Sequence, residues 1–257
     1  MNDTSEAPVD LGGTRVLVTG GTSGLGLAMA AALARAGATV ALTSRSPERA
    51  RTAAASLPGA VGLAVDSADE DSVRSGVDEA WSRLGGIDVL VNNAGIGMLT
   101  VNPRFMTEPQ GFWEVPADAF RAMIDTNVTG YFLVARDVAT RMLQAGGGRI
   151  VTVSVSESTM TRRGNVPYGP SRAATEALSR IMAADLRDSP VRVNILLPGG
   201  PTDTGMLPSQ LPPGLEPLHP AVMGPPIVWL ASAAARDVHD ERIVAAEFED
   251  WLDERGH

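Results

Sequence analysis

Short apolar runs alternate with longer amphipathic segments along most of the chain. The first run, 15–19 (RVLVT), is apolar on both faces of an extended chain, which is typical of a buried strand. The segment after it repeats Leu, Ala and Met at the spacing of one helical stripe, and Gly37 is expected to end this helix as a C-cap. A second strand is then predicted at 39–43 (TVALT).

The same alternation of strand and helix continues to residue 196. The further predicted strands are 60–65, 89–92, 149–154 and 192–196, and the further predicted helices are 70–84, 117–143 and 171–186. Strands that alternate with helices form a parallel sheet with helices on both faces. The predicted fold class is therefore α/β, a Rossmann-type, doubly wound parallel sheet. We expect one domain, 1–257, with its folded core at 10–250.

Two proline-rich loops, 96–116 and 198–226, interrupt the alternation. Both follow predicted strands at the carboxyl edge of the sheet, where open α/β sheets bind ligands. Long loops inside a compact domain are often functional, so we interpret both as substrate loops. The alternative is a subunit contact or an irregular connection. The apolar side chains expected to form the substrate wall are Met98, Leu99, Phe105, Met106, Phe112, Trp113, Met206 and Leu207.

The composition argues against several classes of function. With no cysteine and only three histidines, the chain is expected to hold no metal and to use no thiol nucleophile. Its 21 basic and 30 acidic residues give a formal net charge of −9, which disfavours nucleic acid or an anionic membrane as a partner. Residues 1–10 are polar and acidic, and no apolar run is long enough to span a bilayer. We therefore expect a cytoplasmic protein without a secretory signal.

A glycine-rich turn, 19–26 (TGGTSGLG), joins the first strand to the first helix. Gly20 permits a tight turn, Gly24 leaves space for a pyrophosphate, and Gly26 lets the helix pack closely on the strand. The N-terminus of the helix offers unpaired N–H groups that bind phosphate. The turn therefore predicts a dinucleotide site. Its expected contact residues are Gly20, Thr22, Ser23, Gly24, Leu25 and Gly26.

The spacing of these glycines, Gly-x-x-x-Gly-x-Gly after a threonine, resembles that of the short-chain dehydrogenase/reductase family. Further motifs match the family in order, and the resemblance extends from residue 14 to about 248. These motifs are Asn92-Asn93-Ala94-Gly95, Asn127 within DTNV, Tyr168-Gly169-Pro170-Ser171-Arg172, and Pro198-Gly199. The stretch 200–206 and the tail 248–251 are most similar to gluconate 5-dehydrogenase-like members. The resemblance implies a nicotinamide-dependent oxidoreductase whose cofactor site includes Asn93, Ala94, Gly95, Pro198 and Gly199.

The end of the second predicted strand indicates which nicotinamide cofactor binds. Dinucleotide enzymes that prefer NAD carry an acidic residue there, which binds the ribose 2′-hydroxyl. This strand ends in Ser44-Arg45, and an arginine can bind a 2′-phosphate through charge-assisted hydrogen bonds. We therefore expect NADP(H) rather than NAD, the alternative being that Arg45 is a solvated surface charge. The resemblance also implies that Asp66 contacts the adenine, unless Asp66 instead caps the next helix, and Ser67 beside it is expected in the cofactor site.

The resemblance makes Tyr168 the acid/base that protonates the alkoxide formed when a carbonyl accepts hydride. A tyrosine hydroxyl ordinarily has a pKa of about 10, and a nearby fixed positive charge makes it a stronger acid. Arg172 follows four residues later on the same helix face, and Pro170 suits the first turn of that helix. The predicted site therefore pairs Tyr168 with Arg172, which is also expected to contact the cofactor ribose.

Arg172 departs from the family pattern, which usually has lysine at this position. Arginine retains the positive charge, but it cannot release a proton and so cannot relay one. We expect electrostatic activation to be preserved and proton relay to be weakened, so that Arg172→Lys is at least as active as the parent. The resemblance assigns a structural and proton-relay role to Asn127.

The serine that binds the substrate oxygen in relatives is a second departure. The position thirteen residues before Tyr168 is occupied by Val155, between Ser154 and Ser156. Along a strand the two serines point to one face and Val155 to the other. A one-residue shift in the following loop would bring Ser156 to the substrate oxygen, and an early strand end would bring Ser154 there.

These residues together predict interconversion of a ketone and a secondary alcohol on a small molecule. Two alternatives remain: a non-redox epimerase, dehydratase or cyclase on the same scaffold, or a cofactor-binding protein with little turnover. Arg104, Arg162 and Arg163 could recognise a carboxylate, although Arg162 and Arg163 also fit an exposed surface pair. The resemblance implies a homodimer or homotetramer built through the long helices.

Overall fold

The computed structural model describes residues 9–256 and places seven strands of this region in one parallel sheet. The strands are β1 (Arg15–Val18), β2 (Thr39–Ser44), β3 (Val61–Ala64), β4 (Val89–Asn92), β5 (Gly148–Val153), β6 (Val191–Leu197) and β7 (Arg242–Val244). Their order is β3-β2-β1-β4-β5-β6-β7, and every neighbouring pair is parallel. The strand order reverses between β1 and β4, so a crevice opens at their carboxyl ends.

Helices cover both faces of this sheet. Within residues 9–256 they are α1 (Gly24–Arg35), α2 (Pro47–Ala55), α3 (Glu70–Leu84), α4 (Ala117–Ile124), α5 (Gly130–Ala145), α6 (Glu157–Met160), α7 (Tyr168–Asp185), α8 (Gly224–Ala231) and α9 (Phe248–Arg255). Leu33 of α1 and Ile227 of α8 are fully buried against one face. Val77 of α3 and Val138 of α5 are buried against the other. The predicted doubly wound parallel sheet is therefore confirmed.

The predicted helix 117–143 is divided into two helices in the structure. Helix α4 ends at Ile124, and a π-helical turn, Asp125–Thr129, separates it from α5. The wider turn directs the amide of Asn127 to the loop after β4, where it bonds both the N–H and the carbonyl of Ile96. A regular 3.6-residue pattern does not reveal such a turn, because the flanking helices keep their own apolar faces.

Other element boundaries differ by a few residues from the predicted ones. Helix α1 ends as predicted, because Gly37 follows the last helical residues with φ +97°, and the N–H groups of Gly37 and Ala38 donate to the carbonyl oxygens of Ala34 and Leu33. Helix α7 begins at Tyr168, three residues before its predicted start. The elements that were not predicted from the sequence are α2, α6, α8, α9 and β7. Residues 1–8, on which most of the expectation about a secretory signal rests, and His257 lie outside the described residues.

Within residues 9–256, no helix has both the length and the apolar character needed to cross a membrane.

Candidate active site

A cavity of about 610 Å³ opens at the carboxyl ends of the strands. Its wall includes residues that lie one or two positions after the ends of six strands, β1 to β6. The predicted site residues on this wall are Gly20, Thr22, Ser23, Gly24, Leu25, Gly26, Ser44, Arg45, Asp66, Ser67, Asn93, Ala94, Gly95, Ser154, Ser156, Tyr168, Arg172 and Pro198. Two predicted site residues, Asn127 and Gly199, are not on the wall.

The glycine-rich turn forms one end of the cavity. Gly20 has φ +63°, and a Cβ on Gly26 would lie 2.3 Å from the carbonyl oxygen of Gly20, so neither position accommodates a side chain without rearrangement. Ser23 is the N-cap of α1 but makes no side-chain capping bond, and the first turn of α1 contains no acidic residue. The amides of that turn are therefore free to bind a phosphate, which fits a dinucleotide.

Two arginines border the same end of the cavity. Arg45 follows β2, as predicted, and is exposed. Arg49 of α2 also lines the cavity, and its Nη2 donates to Ser23 Oγ at 3.4 Å. Arg49 was not among the predicted site residues, because α2 was not predicted from the sequence. Ser46, which caps α2 by accepting from the Arg49 N–H, is the signal that could have revealed it.

Asp66 and Ser67 line the cavity beside β3. The helix N-cap is Asp69 rather than Asp66, since Asp69 accepts from the Ser72 N–H at 2.7 Å. The alternative interpretation of Asp66 as the helix cap is therefore wrong. Asp66 instead accepts from the Ala68 N–H at 3.0 Å, which fixes its carboxylate at the cavity wall.

Asn93 ties the end of β4 to the glycine-rich turn. Its Nδ2 donates to the carbonyl oxygens of Thr19 and Gly20 at 3.0 and 3.2 Å. Thr19 Oγ1 in turn accepts from the N–H groups of Asn93 and Ala94. At Gly95, an added Cβ would lie 2.6 Å from Arg172 Nη2, so only glycine leaves room for that guanidinium.

Tyr168 and Arg172 lie together on the first turns of α7, as predicted. Tyr168 is half-buried at the cavity wall, and Arg172 is only 4% exposed beneath it. The guanidinium carbon of Arg172 lies 5.1 Å from the ring centroid of Tyr168, within the range of a cation–π contact. Burial lowers the pKa of Arg172. The interactions with Tyr131 and Tyr168 raise it by more, so the pKa of Arg172 lies above its ordinary value.

Tyr131 of α5 is the second aromatic partner of Arg172. Arg172 Nη1 donates to the Tyr131 hydroxyl at 2.9 Å and to the carbonyl oxygen of Val153 at 3.4 Å. Burial raises the pKa of Tyr131, although the positive charge of Arg172 opposes the change. The Nε of Arg172 is buried and has no hydrogen-bond partner among residues 9–256. Tyr131 was not predicted from the sequence, because its contact with Arg172 joins two helices that are distant in sequence.

Asn127 lies behind the cavity wall. Besides its two bonds to Ile96, its Nδ2 donates to Ser171 Oγ at 3.2 Å, and Ser171 Oγ donates to the carbonyl oxygen of Tyr168. Its own carbonyl oxygen accepts from Thr175 Oγ1 at 3.2 Å. Asn127 therefore joins the loop after β4 to the first turn of α7.

The two candidate serines have different surroundings. Ser154 is 2% exposed, and its hydroxyl donates to Glu176 Oε1 at 2.6 Å. Ser156 is half-buried at the start of α6, where its hydroxyl bonds those of Ser158 and Thr159 at 3.0 and 2.9 Å. Val155 lies between them on the cavity wall.

The two long loops provide the apolar part of the cavity. The loop side chains on its wall are Met98, Phe105, Met106, Met206 and Leu207. The expectation that Leu99, Phe112 and Trp113 line it is wrong. Phe112 and Trp113 form a helical turn that leaves them 70% and 76% exposed, edge to face with each other. Gly199 faces away as well, since a Cβ there would lie 2.9 Å from Ala246 Cβ.

Comparison with known proteins gives one family. The family model described as short chain dehydrogenase matches residues 14–212. Gluconate 5-dehydrogenase of Gluconobacter oxydans (strain 621H) is 34% identical over 194 residues, which cover 74% of this chain and 72% of that protein.

Solved structures agree with this match. A 7α-hydroxysteroid dehydrogenase complexed with NADH and 7-oxo glycochenodeoxycholic acid superposes with a TM-score of 0.81 at 28% identity, covering 92% of this chain and 94% of that one. A short chain dehydrogenase from Burkholderia cenocepacia J2315 in complex with NADP superposes with a TM-score of 0.78 at 28% identity, covering 93% of this chain and 97% of that one. One neighbour thus holds NADH and the other NADP.

Proposed function

The chain belongs to the short-chain dehydrogenase/reductase family, NAD(P)-dependent oxidoreductases of small-molecule alcohols and ketones, and from this premise we propose its cofactor and its catalytic residues. The proposed reaction is NADP(H)-dependent interconversion of a ketone and a secondary alcohol, with Tyr168 as the acid/base. One observation carries the proposal: a single cavity joins the glycine-rich turn to the half-buried Tyr168, which lies over the buried cation of Arg172.

In the proposed reaction, Tyr168 transfers the proton and Arg172 provides a fixed positive charge. When bound, the nicotinamide supplies or accepts the hydride. In the reducing direction the Tyr168 hydroxyl donates its proton to the developing alkoxide, and in the oxidising direction tyrosinate takes the proton from the alcohol. Arg172 stabilises that tyrosinate by its fixed charge, which its surroundings maintain. Because arginine does not release a proton, Tyr168 must exchange its proton with solvent by another route.

We assign Asn127 a positioning role in place of the expected proton relay. Its amide is already bonded to Ile96 and Ser171, and these bonds hold the loop after β4 beside the first turn of α7. For the substrate oxygen we favour the hydroxyl of Ser156 over that of Ser154, because Ser154 already donates to Glu176.

The preference for NADP rests on two positive charges at one end of the cavity. Arg45 and Arg49 both border the wall, and Arg49 reaches the cap of α1. Arginine binds phosphate through charge-assisted, planar hydrogen bonds, so the pair would recognise a 2′-phosphate. The contacts proposed for the rest of the dinucleotide are the glycine-rich turn, Asp66 and Ser67, the loop 93–95, and Pro198-Gly199.

The proposal includes a single catalytic domain, 1–257, that works in the cytoplasm as a homodimer or homotetramer. Exposed apolar side chains on the two longest helices support assembly through those helices: Phe132 and Leu143 on α5 and Ile181 on α7. The substrate is a small molecule, as it is in the relatives named gluconate 5-dehydrogenase and 7α-hydroxysteroid dehydrogenase.

The test is a screen of ketones and keto acids against NADPH, followed by absorbance at the reduced-nicotinamide band. We expect substrate-dependent loss of that absorbance, and Tyr168→Phe should reduce kcat by about 10²- to 10⁴-fold, the range for removal of a general acid. Calorimetric titration of NADPH into the variant is the control, since unchanged affinity shows an intact fold. Turnover of substrate without net cofactor oxidation would instead identify a non-redox enzyme. Binding of NADPH without any turnover would identify a cofactor-binding protein.

A further inference from the structure

A positive charge without an acidic partner borders the substrate end of the cavity. Arg162 lies in the segment between α6 and α7, and it lines the same wall as Tyr168. Within residues 9–256, no ion pair includes Arg162. Among the described residues, 9–256, the only carboxylate on the cavity wall is that of Asp66, which follows β3 at the cofactor end. An anion that entered beside Arg162 would therefore meet no acidic group of the wall at that end.

The three loop arginines differ in their surroundings. Arg104 is paired with Glu108 at 3.0 Å, and its charge is thereby compensated. Arg163 is exposed and is not among the residues of the cavity wall. Arg162 is exposed at the cavity mouth but lines the wall, so it alone of the three can reach a bound substrate.

Two buried side chains hold the guanidinium of Arg162 in place. Its carbon lies 5.6 Å from the ring centroid of Phe105, which is 7% exposed. Its Nη2 donates to Asn165 Oδ1 at 3.3 Å, and Asn165 is 2% exposed. Burial lowers the pKa of Arg162 and the neighbouring Tyr168 opposes this, so the charge is both partly desolvated and close to the acid/base. A cation held in this way binds an anion with little further loss of side-chain freedom.

The two long loops contribute apolar side chains to the cavity wall that Arg162 also lines. They are those of Met98, Phe105, Met106, Met206 and Leu207. Such a surface favours an apolar substrate body, whereas an unpaired arginine favours a planar anion that accepts two hydrogen bonds.

We propose that Arg162 binds a carboxylate of the substrate, so that the substrate is an oxo acid or hydroxy acid with an apolar body. The carbonyl or alcohol carbon lies at Tyr168, the apolar body contacts the methionine and phenylalanine side chains, and the carboxylate pairs with Arg162. This inference rests on the proposed function for the reaction, while the anion site can be tested without turnover.

The test uses calorimetric titration of the protein with bound NADP, and the probes are cyclohexanecarboxylate and 4-phenylbutanoate, each beside its neutral amide. We expect both carboxylates to bind more tightly than their amides. Arg162→Met, which keeps an apolar stem, should weaken carboxylate binding by about 10- to 100-fold, the effect of losing a hydrogen-bonded charge. Amide binding should be unchanged. Arg163→Met is the matched control and should alter neither.

Several outcomes would overturn the inference. They are carboxylates that do not bind, carboxylates that bind no better than amides, and an equal effect of Arg162→Met and Arg163→Met. Binding of inorganic phosphate but not of carboxylates would also overturn it, because the site would then take a different anion.

A kinetic comparison separates this inference from the proposed function. The probes are 4-oxo-4-phenylbutanoate and its methyl ester, assayed with NADPH. Faster turnover of the acid, lost in Arg162→Met, supports both proposals. Equal turnover of acid and ester, unaffected by Arg162→Met, supports the oxidoreductase and overturns the anion site. Absence of turnover together with Arg162-dependent carboxylate binding overturns the redox reaction on these ketones and leaves the anion site supported.

Discussion

The hydroxyl of Tyr131 accepts a hydrogen bond of 2.9 Å from Nη1 of Arg172, directly beside the cavity that Tyr168 lines. Arg172 is thus shared by the two tyrosine rings, whose centroids lie 5.5 and 5.1 Å from its guanidinium carbon. A lysine ammonium has no planar face to lie along two rings in this way. Tyr131 therefore fixes the position of the charge that acts on Tyr168.

Tyr131→Phe removes this hydrogen bond and leaves the ring in place. We expect a loss of about 1–3 kcal/mol in the free energy of unfolding, the usual range for a buried bond to a charged group. We also expect kcat to fall roughly tenfold, because a guanidinium free to shift stabilises tyrosinate less well. Urea unfolding and steady-state kinetics measure the two effects.

The control for this prediction is Ser179→Ala on the same helix as Arg172. The Ser179 hydroxyl is buried and donates to Thr152 Oγ1, but it does not line the cavity. It should lower stability without lowering kcat. If both variants lose stability and both keep kcat, Tyr131 is only a packing residue.

Arg172→Lys tests what the guanidinium adds to its charge. We expect activity at neutral pH at least equal to that of the parent, because the positive charge remains and a lysine can relay a proton. At alkaline pH the activity of the variant should differ from that of the parent. The pKa of Arg172 is raised, so its charge persists as pH increases, whereas a lysine has an ordinary pKa of about 10.4 that burial lowers. The variant should therefore lose activity at a lower pH than the parent.

The chain contains no lysine, so this variant carries a single one. Its protonation can be followed by the pH dependence of labelling with an amine reagent. Arg180→Lys, on the exposed side of α7 beside Asp240, is the matched single-lysine control and should be labelled at ordinary lysine pH values without loss of activity. Collapse of the activity of Arg172→Lys at every pH would assign the guanidinium a role of its own.

The sequence allowed the sheet, the glycine-rich turn and the Tyr168–Arg172 pair to be predicted, because each depends on local spacing. Arg172 lies one helical turn from Tyr168 whatever the rest of the chain does. Tyr131 could not be placed in this way, because its contact with Arg172 joins two helices that are distant in sequence. Arg49 was missed because the buried stripe of α2 consists of alanines, Ala50, Ala53 and Ala54, which are a weak hydrophobic signal in the sequence. Phe112 and Trp113 were misplaced because an apolar composition alone does not determine which side of a loop faces the cavity.

The serine that binds the substrate oxygen can be identified by two alanine variants. Ser156→Ala should lower kcat by about 10²- to 10³-fold, as loss of one donor to a developing oxyanion does. Ser154→Ala should mainly lower stability, because it removes a buried donor to Glu176, which also pairs with Arg242. Kinetics and urea unfolding measure both.

A hydroxyl placed at the family's usual position provides the rescue. Val155→Ser combined with Ser156→Ala should regain most of the activity lost in Ser156→Ala, since Val155 lies on the cavity wall. A larger fall in kcat for Ser154→Ala than for Ser156→Ala would reverse the assignment. No fall in either would remove the role from both serines.

The proposed preference for NADP rests on two arginines at the edge of the cavity, Arg45 and Arg49. Arg49→Ala should weaken NADPH binding by roughly 10- to 100-fold and leave NADH binding unchanged, because only NADPH carries the 2′-phosphate that the guanidinium would bind. Arg45→Ala should act in the same direction. Arg51→Ala is the matched control, because Arg51 is an exposed arginine of the same helix that is not on the cavity wall. Calorimetric titration with each cofactor measures the effect. If NADPH and NADH binding are weakened equally, these arginines contact a part of the cofactor that both share. If Arg51→Ala weakens NADPH binding as much as Arg49→Ala does, the preference for NADPH comes from long-range charge rather than from a direct contact.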